Sequence, residues 1–446
     1  MFSTIKNAFK IPDLRRRIFF TLFMLIIFRF GAHIPVPYLS ADAMKAFLGN
    51  GTADLFSLFD VFTGGAFSNA TVMAMGVSPY INASIIVQLL TVAIPSLERL
   101  AKEGVEGRKK INKITRYLGI ALAFVQGAGL YVTLYNLGVQ NSMTTIARTD
   151  ALGFFTIVLT FTAGTAFIVW LGELISEKGL GNGVSLIIFA GIVTRIPSGA
   201  ITLYKQYLET NVDIKGIAIV AVIAVVAIAA IAFVVLFDCA ERRIPVQYAK
   251  RVVGRKMYGG QSTHIPIKVV MAGVMPIIFA SSIMAFPATI VRLVSGGNMP
   301  TAGVGYIILS MLQANSASGA PIWTDIVYSI LYFLLIIFFT YFYTSIQFNP
   351  IELANNMKKN GGFIPGIRPG KPTSDYIFRS SSRINLAGAT FLGIIAILPI
   401  VFGAVFKIAS IQIGGTSLLI MEGVALETVR QIESQMTMRH YKGFLE

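Results

Sequence analysis

Few ionisable residues of this sequence lie inside its long apolar stretches, where a charge could have a special chemical role. Arg29, Glu422 and Glu427 are ionisable side chains within otherwise apolar stretches. A charge inside a membrane is costly unless it meets water or a partner, so each of the three is a candidate functional position. A second explanation stays open for Arg29, because it lies close enough to the end of its stretch to reach the membrane surface or to pair with another helix.

Residues typical of enzymes form no catalytic or metal-binding pattern. His33, His264 and His440 are scattered without the spacing of metal ligands, and the motifs GxxxxGKS/T, HExxH and GxSxG do not occur. Cys239 is the single cysteine, so it cannot form an internal disulfide, and we interpret it as a packing residue. We therefore predict a protein that is not an enzyme and that holds no cofactor and no metal.

The composition predicts an all-α protein that crosses a membrane many times. Of the 446 residues, 55% are hydrophobic and only 13% are charged, and the mean hydropathy is +0.71. These values are typical of polytopic membrane proteins. Apolar stretches of about 20 residues each predict about ten transmembrane helices. The predicted spans are 18–36, 72–95, 116–137, 152–175, 183–204, 215–238, 267–292, 322–346, 384–406 and 414–434.

Positive charge is distributed unevenly between the two sides of this topology. Most of the 37 Lys and Arg residues lie near the termini or in the loops that follow even-numbered spans. Cytoplasmic loops carry an excess of Lys and Arg, so these loops and both termini are predicted to lie in the cytoplasm. The net charge of +16 also fits a nucleic-acid-binding protein, but the topological bias accounts for most of it.

A short stretch before the second span is too apolar for a loop and too short to cross a membrane. Its apolar residues, which fall on one face of a helix, are Leu55, Leu58, Phe59 and Phe62. A helix over 55–62 is about 12 Å long, well short of the roughly 30 Å hydrocarbon core, and Gly64 and Gly65 then end the pattern. We predict that this helix enters the membrane region and folds into a cavity.

Glycine spacing and the number of spans predict how the helices are arranged. Gly179, Gly181 and Gly183 permit a tight turn between the fourth and fifth spans, which are then antiparallel neighbours. Five spans precede the midpoint and five follow, so two halves of one fold would be inverted relative to each other, with a pathway at their interface. The predicted parts are an N-terminal half over 1–210, a C-terminal half over 211–438 and a cytoplasmic tail over 439–446.

Two cytoplasmic loops are larger and more basic than membrane anchoring requires. Residues 239–266 include the stretch VQYAKRVVG, whose alternation predicts the strands of a hairpin. Residues 347–383 place further basic residues around proline and glycine turns. The loops either dock an acidic or RNA-containing partner or serve as extended anchors. Their basic residues include Arg242, Arg243, Lys250, Arg251, Arg255, Lys256, Lys358, Lys359, Arg368 and Lys371.

Six segments, in order and along nearly the whole chain, resemble the SecY family of bacterial protein translocase channels. They are GGAFSNATVMAMGVSPYINASIIVQLL (64–90), EKGLGNGVSLIIFAGIV (177–193), RRIPVQYAKR (242–251), QSTHIPIKVVMAGVMPIIFASSIMAFP (261–287), FNPIELANNMKKNGGFIPGIRPG (348–370) and GGTSLLI (414–420). The resemblance implies two inverted five-helix halves around a central pore in the bacterial cytoplasmic (inner) membrane. It also implies a channel that translocates unfolded secretory polypeptides and releases hydrophobic segments laterally into the membrane.

The resemblance also implies a plug and a pore ring. The helix over 55–62 and the residues up to about Val72 match the family's plug, including Gly64 and Gly65. The narrow pore ring corresponds to six apolar β-branched residues, Val77, Ile81, Ile188, Ile192, Ile278 and Ile420. Such side chains hold no water, so a closed ring would gate by dewetting. Without the resemblance, the same residues would be interpreted as ordinary packing between helices.

A lateral gate between the second and third spans on one side and the seventh and eighth on the other is implied as well. Its polar contacts are assigned to Gln88, Ser281 and Ser282. Pro276 and Pro287 are predicted to localise bending of the seventh span, because proline removes a backbone donor.

The resemblance implies several partners. The macromolecular partners are the small membrane subunits SecE and SecG, the SecA motor ATPase, the ribosome, and secretory and membrane protein substrates. The phospholipid bilayer surrounds the channel. Arg368 and the basic residues of the loop 239–266 would engage the motor or the ribosome at different times. Glu422 stands where relatives usually carry an apolar residue, and it either faces the pore, binds a partner or is peculiar to this chain.

A secondary transporter of a small solute, also built from inverted repeats, is the main alternative. A transporter should place carboxylates, lysines or broken helices near the membrane midplane. Beyond Arg29, Glu422 and Glu427, we find little of this kind in the spans, which favours the channel. A membrane enzyme is a third alternative, but it would require a nucleophile and base or a metal site.

Overall fold

The computed structural model of the chain is mainly helical. It describes residues 8–42, 44–45, 60–140, 145–204, 214–248, 251–253, 256–258, 262–294, 311–312, 322–406 and 414–442. The principal helices in these ranges are α1 (Pro12–Gly31), α2 (Ser78–Ala93), α3 (Pro95–Lys102), α4 (Val105–Gln140), α5 (Ala151–Lys178), α6 (Gly183–Tyr204), α7 (Ile214–Cys239), α8 (Met275–Val294), α9 (Ile322–Gln347), α10 (Pro350–Lys359), α11 (Lys371–Phe406) and α12 (Gly414–Lys442).

The long helices follow the predicted spans. In the described ranges, each of the ten predicted spans corresponds to one long helix, whereas α3 and α10 are short additions. Six of the described helices are long and apolar enough to cross a membrane. The number is seven if α2 and α3, which meet at a bend of 101°, form one broken span. The chain is therefore a multi-pass membrane protein, as its composition predicts.

Proline positions correct two predicted helix starts. The second span does not begin at residue 72, because α2 starts at Ser78 with Pro79 in its first turn, where no N–H partner is needed. The seventh span begins later than predicted for the same reason, since α8 starts at Met275 and Pro276 follows directly. Pro276 therefore cannot bend this helix, whereas Pro287 lies inside it.

Two further helix bounds differ from the predicted spans. The segment 96–116, between the second and third predicted spans, is largely helical, because α3 and the first turns of α4 occupy it on either side of Gly104. The first span lies nearer the N-terminus than 18–36, since α1 runs from Pro12 to Gly31 and includes three arginines before its apolar part. Hydropathy located the apolar part of this helix and missed its charged first turns.

The chain divides into two compact units, which are described separately. The first comprises Met1–Ala221, Ser281–Tyr328 and Pro399–Glu446, and the second comprises Val222–Ala280 and Ser329–Leu398. In the first unit α4 packs against α2 and α5, and α6 packs against α5 and α12. The predicted tight turn between α5 and α6 is confirmed. A Cβ at Gly183 would overlap the carbonyl group of Gly172, so glycine lets these two helices touch.

In the second unit the two basic loops fold together. Strand β1 (Glu241–Tyr248) pairs antiparallel with β4 (Ser262–Lys268), and β5 (Gly362–Phe363) pairs with the other edge of β1. The short strands β2 (Arg251–Val253) and β3 (Lys256–Tyr258) pair with each other, which confirms the predicted hairpin strands. A buried core joins the sheet to α10 and to the start of α11, and its residues are Ile244, Val246, Ile267, Met357, Ile364 and Ile377.

Candidate functional site

A stretch of turns before α2, residues 60–77, lies buried inside the first unit. Its backbone groups find partners without forming a long helix: Gly65 N donates to Asp60 O at 2.9 Å, and Val72 N donates to Ile34 O at 2.9 Å. Irregular backbone is tolerated in a membrane protein where protein covers it and satisfies its polar groups. This stretch, called the buried turn below, contains the described part of the predicted plug.

Only the end of the predicted short helix can be described. Residues 60–62 are helical, and Phe62 therefore lies at the end of a helical turn. Leu55, Leu58 and Phe59 lie outside the described residues. Gly64 and Gly65 have φ angles of +64° and +90°, in the left-handed region that favours glycine, so the predicted Gly-Gly break is confirmed.

Two arginines from different helices hold the start of the buried turn. Asp60 is buried and forms an ion pair with Arg195 of α6, and its Oδ1 accepts a hydrogen bond of 2.7 Å from Ser68 N. A guanidinium nitrogen of Arg29, on α1, donates to Gly64 O at 2.8 Å. The Arg29 side chain thus neither extends to the membrane surface nor pairs with another helix in this contact, but binds the backbone of the buried turn.

Glycine allows the buried turn to lie directly on α6. A Cβ at Gly191 would overlap the carbonyl oxygen of Phe62 and lie 3.2 Å from Gly64 N. A Cβ at Gly64 would in turn lie 2.6 Å from Thr194 Oγ1 and 2.9 Å from Gly191 O. Backbone therefore meets backbone at this contact, and larger side chains at these two positions have no room.

The second part of the buried turn is anchored in an apolar core. Phe67, Ala70 and Ala74 are buried among side chains of α4 and α5, including Leu134 and Phe161. Only 2% of Phe67 is exposed to solvent. The buried turn thus has two different ends, one held by charges at Asp60 and one held by apolar packing at Phe67.

The predicted ring residues are all buried. They are Val77 and Ile81 at the start of α2, Ile188 and Ile192 on α6, Ile420 on α12, and Ile278 at the start of α8, which belongs to the second unit. The start of the buried turn contacts the residues that directly precede two of these positions. Thr63 packs against Gly76, the residue before Val77, and the backbone around Gly64 packs against Gly191, the residue before Ile192.

The predicted gate residues lie on α2 and α8. Gln88 is half-buried, and its Nε2 donates to Ser84 Oγ at 3.3 Å. Its Oε1 is buried and has no hydrogen-bond partner within the described residues. Ser281, Ser282 and Pro287 are half-buried on α8. The assignment of these four residues to a lateral gate stays a prediction.

Several predicted cytoplasmic cations lie on the surface of the second unit. The exposed ones are Arg242, Arg243, Lys358, Lys359, Arg368 and Lys371. Arg243 pairs with Glu241 at 2.8 Å. Arg368 projects from a loop that is fixed on both sides, because Ile367 packs against the apolar core and Thr373 Oγ1 donates to Arg368 O at 2.8 Å. Arg251 and Lys256 lie in β2 and β3, whose side chains are not described, and Lys250 and Arg255 lie outside the described residues.

Sequence reasoning missed Arg195 and Gly191. Arg195 lies inside the fifth span and is as unusual there as Arg29 is in the first, so the list of ionisable residues in the spans was incomplete. A buried carboxylate needs a cation, and this requirement could have suggested the pair between Asp60 and Arg195. Glu422 is buried on α12, whereas Glu427 is exposed.

Known proteins similar to this chain agree on one family. The sequence model of the SecY family matches residues 71–429. The protein translocase subunits SecY of Mycobacterium bovis and Streptomyces coelicolor are 45% and 44% identical to the chain over 455 and 459 residues, with 100% of both chains covered in each comparison.

Solved structures show the same fold. A protein-conducting channel has a TM-score of 0.69 at 20% identity, and a SecY channel described by a plug domain that stabilises its closed state has a TM-score of 0.66 at 20% identity. Sec61 from a canine ribosome–channel complex has a TM-score of 0.65 at 19% identity. Each comparison covers 95% of this chain and 92% of the other.

The helices and these structural matches define an all-α polytopic membrane protein with a channel fold. The sequence matches make the assignment more specific: the chain belongs to the SecY family. The resemblance seen in the sequence is thereby confirmed.

The contact between Gly191 and the buried turn makes a direct prediction. Gly191→Val should displace the backbone at Phe62 and lower the free energy of unfolding by about 1–3 kcal/mol, because it overpacks a backbone contact. Thermal unfolding of the purified protein measures this change, and ion efflux from proteoliposomes measures whether the displaced turn also alters permeability.

Gly199→Val is the matched control, because Gly199 lies on the same helix and a Cβ there meets nothing within 4 Å. It should change neither the unfolding temperature nor the efflux. Equal effects of both variants would show that the Gly191 contact is not special.

Proposed function

We propose that this SecY-family protein is the channel subunit of a translocase that moves unfolded secretory polypeptides across a bacterial cytoplasmic membrane. Apolar segments leave the channel sideways into lipid. The observation that carries the proposal is the buried turn, packed beside two predicted ring positions in a chain that matches translocase subunits over its full length. A small-solute transporter, the alternative considered from the sequence, is not supported by these relatives.

The proposed pore ring acts through side chains that cannot form hydrogen bonds. Val77, Ile81, Ile188, Ile192, Ile278 and Ile420 offer no hydrogen bond to water or to ions. A closed ring of this chemistry excludes water, and an open one makes no sequence-specific contact with a passing polypeptide. The same residues can therefore seal the resting channel and accept many substrates.

The buried turn is the plug in this proposal, and its two ends have different roles. Phe67 lies in the apolar core of the first unit and stays in place, because withdrawing it would open a cavity. Asp60 to Gly65 are held by polar contacts and by a glycine contact, and this part moves away from Gly76 and Gly191 when the channel opens.

The lateral exit lies between α2 and α8. Gln88 on α2 and Ser281 and Ser282 on α8 provide polar contacts that are weaker than apolar packing over a whole helix face. Pro287 lets α8 bend between its two parts, because a backbone hydrogen bond is missing there. An apolar signal helix can then take the place of the contacts between α2 and α8.

The energy for translocation comes from partners. The exposed cations of the second unit, with Arg368 on its fixed loop, form a cytoplasmic docking surface for the SecA motor ATPase and, at other times, for the ribosome. A ribosome complex is known for the structurally similar Sec61 channel. SecE and SecG are the proposed small membrane subunits, and both termini of the chain lie in the cytoplasm.

This topology completes the proposal. The inverted halves are residues 1–210 and 211–438, and residues 439–446 form a cytoplasmic tail. Positive charge supports the orientation, because cytoplasmic segments carry an excess of Lys and Arg and the start of α1 contains Arg15, Arg16 and Arg17.

A polypeptide stalled in the channel tests the pore ring. Cys239, which is exposed, is first replaced by serine, and single cysteines are then placed at Ile81, Ile188 and Ile278. A cysteine in the middle of a stalled secretory chain should form disulfides with all three positions, because the chain must pass through the ring.

Ile394, an exposed residue on α11 outside the ring, provides the control position. A stalled chain that crosslinks to Ile394→Cys as readily as to the three ring positions, or to none of the ring positions, contradicts the assignment of the pore.

The docking surface makes a separate prediction. Arg368→Glu should reduce SecA-driven translocation into membrane vesicles at least about tenfold, since a charge reversal at a protein interface adds repulsion to the loss of attraction. The amount of channel inserted in the membrane should not change, because Arg368 is exposed and its neighbours Ile367 and Thr373 retain their contacts.

Lys110→Glu is the matched control, since Lys110 is an exposed cation at the start of α4, outside the proposed surface. Translocation at the unmodified rate by the Arg368 variant, or an equal loss in both variants, would remove Arg368 from the docking surface.

A further inference from the structure

The described start of the buried turn is held by groups from two helices that are far apart in the sequence. Asp60 pairs with Arg195 of α6, and Gly64 O accepts a hydrogen bond from Arg29 of α1. Arg195 also reaches Ser68 Oγ at 3.4 Å. Two cations and one carboxylate therefore enclose the segment from Asp60 to Ser68.

We propose that Asp60, Arg29 and Arg195 form a charge-dependent clasp that positions the plug and sets how readily the channel opens. The inference deepens the proposed function and rests on the plug being the residues of the buried turn. Arg29 and Arg195 are positioning residues in this account, because they act on the passing polypeptide only through the plug.

The exposure of the two ionic partners fits a contact that breaks and reforms. The side chain of Asp60 is 8% exposed, whereas that of Arg195 is 33% exposed. A buried carboxylate is stabilised only while it is paired and hydrogen-bonded, so Asp60 favours the closed position strongly. The Arg195 side chain is less buried than that of Asp60, so separating the pair costs less at the arginine than at the carboxylate.

Apolar packing cannot provide this hold in the middle of the segment, where no large apolar side chain lies between Phe62 and Phe67. Gly64 and Gly65 carry no side chain, and their left-handed backbone follows the surface of α6. The Asp60 carboxylate also receives the Ser68 N–H at 2.7 Å, so the clasp fixes the fold of the turn as well as its place. From Phe67 onward the chain is held by the apolar core that also contains Ala70.

Arg29 closes the clasp from the other side. Its guanidinium donates a hydrogen bond of 2.8 Å to the backbone carbonyl oxygen of Gly64. A charged donor strengthens such a hydrogen bond in a poorly solvated site. Loss of Arg29 should therefore weaken the closed state less than loss of the ion pair, because Asp60 and Arg195 remain.

Ion flux through the resting channel measures how firmly the clasp holds the plug closed. The full-length channel is reconstituted in liposomes without a motor or substrate, and efflux of a trapped ion is followed. Asp60→Asn and Arg195→Gln should each raise the resting flux about tenfold, because losing one charge of the pair shifts the population towards the open state.

The exchange of charges separates the clasp from a general loss of structure. The double variant Asp60→Arg with Arg195→Asp restores opposite charges at the two positions, and it should bring the flux back to within about threefold of the unmodified channel, since coupled residues are non-additive. Asp150→Asn is the matched control. Asp150 is an exposed carboxylate that pairs with Arg148 at 3.3 Å, and its neutralisation should leave the flux unchanged.

Each outcome has a definite meaning. Unchanged flux in both single variants, or a leak in the Asp150 variant of the same size, overturns the clasp. A double variant that leaks as much as the sum of the single variants also overturns it, because charge pairing is then irrelevant. Arg195→Lys provides a milder variant that keeps the cation, and a leak as large as that of Arg195→Gln counts against the proposal.

Deletion of residues 55–65, which spares Phe67 and its core, separates the clasp hypothesis from the hypothesis that the buried turn is a plug. A leak in the deletion variant with none in the Asp60 and Arg195 variants disproves the clasp and leaves the plug intact. A sealed deletion variant shows that the buried turn is not a plug, and the proposed function of this segment then fails together with the clasp.

Discussion

The structure depends on one demand of the membrane, that every buried backbone N–H and C=O group must have a partner. Helices meet the demand within themselves, but residues 60–77 fold as turns and must meet it through their neighbours. They do so with bonds such as Val72 N to Ile34 O and with the Arg29 guanidinium at Gly64 O. The stretch can therefore lie inside the first unit only while the surrounding helices cover it.

As the proposed plug, the buried turn must both seal the channel and be released from it, and its two ends differ in how firmly they are held. Apolar burial grows with area, so a segment held by many large side chains would be fixed in place. In the buried turn such side chains are concentrated around Phe67, and the part near Asp60 relies on a few polar contacts and on glycine. The buried turn thus has one end held by apolar packing and one end held by polar contacts, as the proposed plug requires, and both are set by local residue types.

Hydropathy predicts the helices well, because burial in lipid acts on stretches of about 20 residues. It fails where an apolar stretch is not helical. Val72 is as apolar as the residues of α2, so hydropathy does not reveal that the helix starts at Ser78, and Pro79 is the only local residue that indicates this start.

Contacts between distant residues could not be predicted at all from local pattern. Arg195 and Ser68 are 127 positions apart, and only the packing of α6 against the buried turn brings Arg195 to Asp60. The resemblance assigns residues to a ring and a plug but says nothing of the contacts between these residues.

Translocation of a preprotein by the purified channel and its motor, reconstituted in liposomes, tests the central claim most directly. The account predicts that labelled preprotein becomes protected from added protease only when ATP and the channel are both present. No protected preprotein, with a correctly folded channel and active motor, would contradict it.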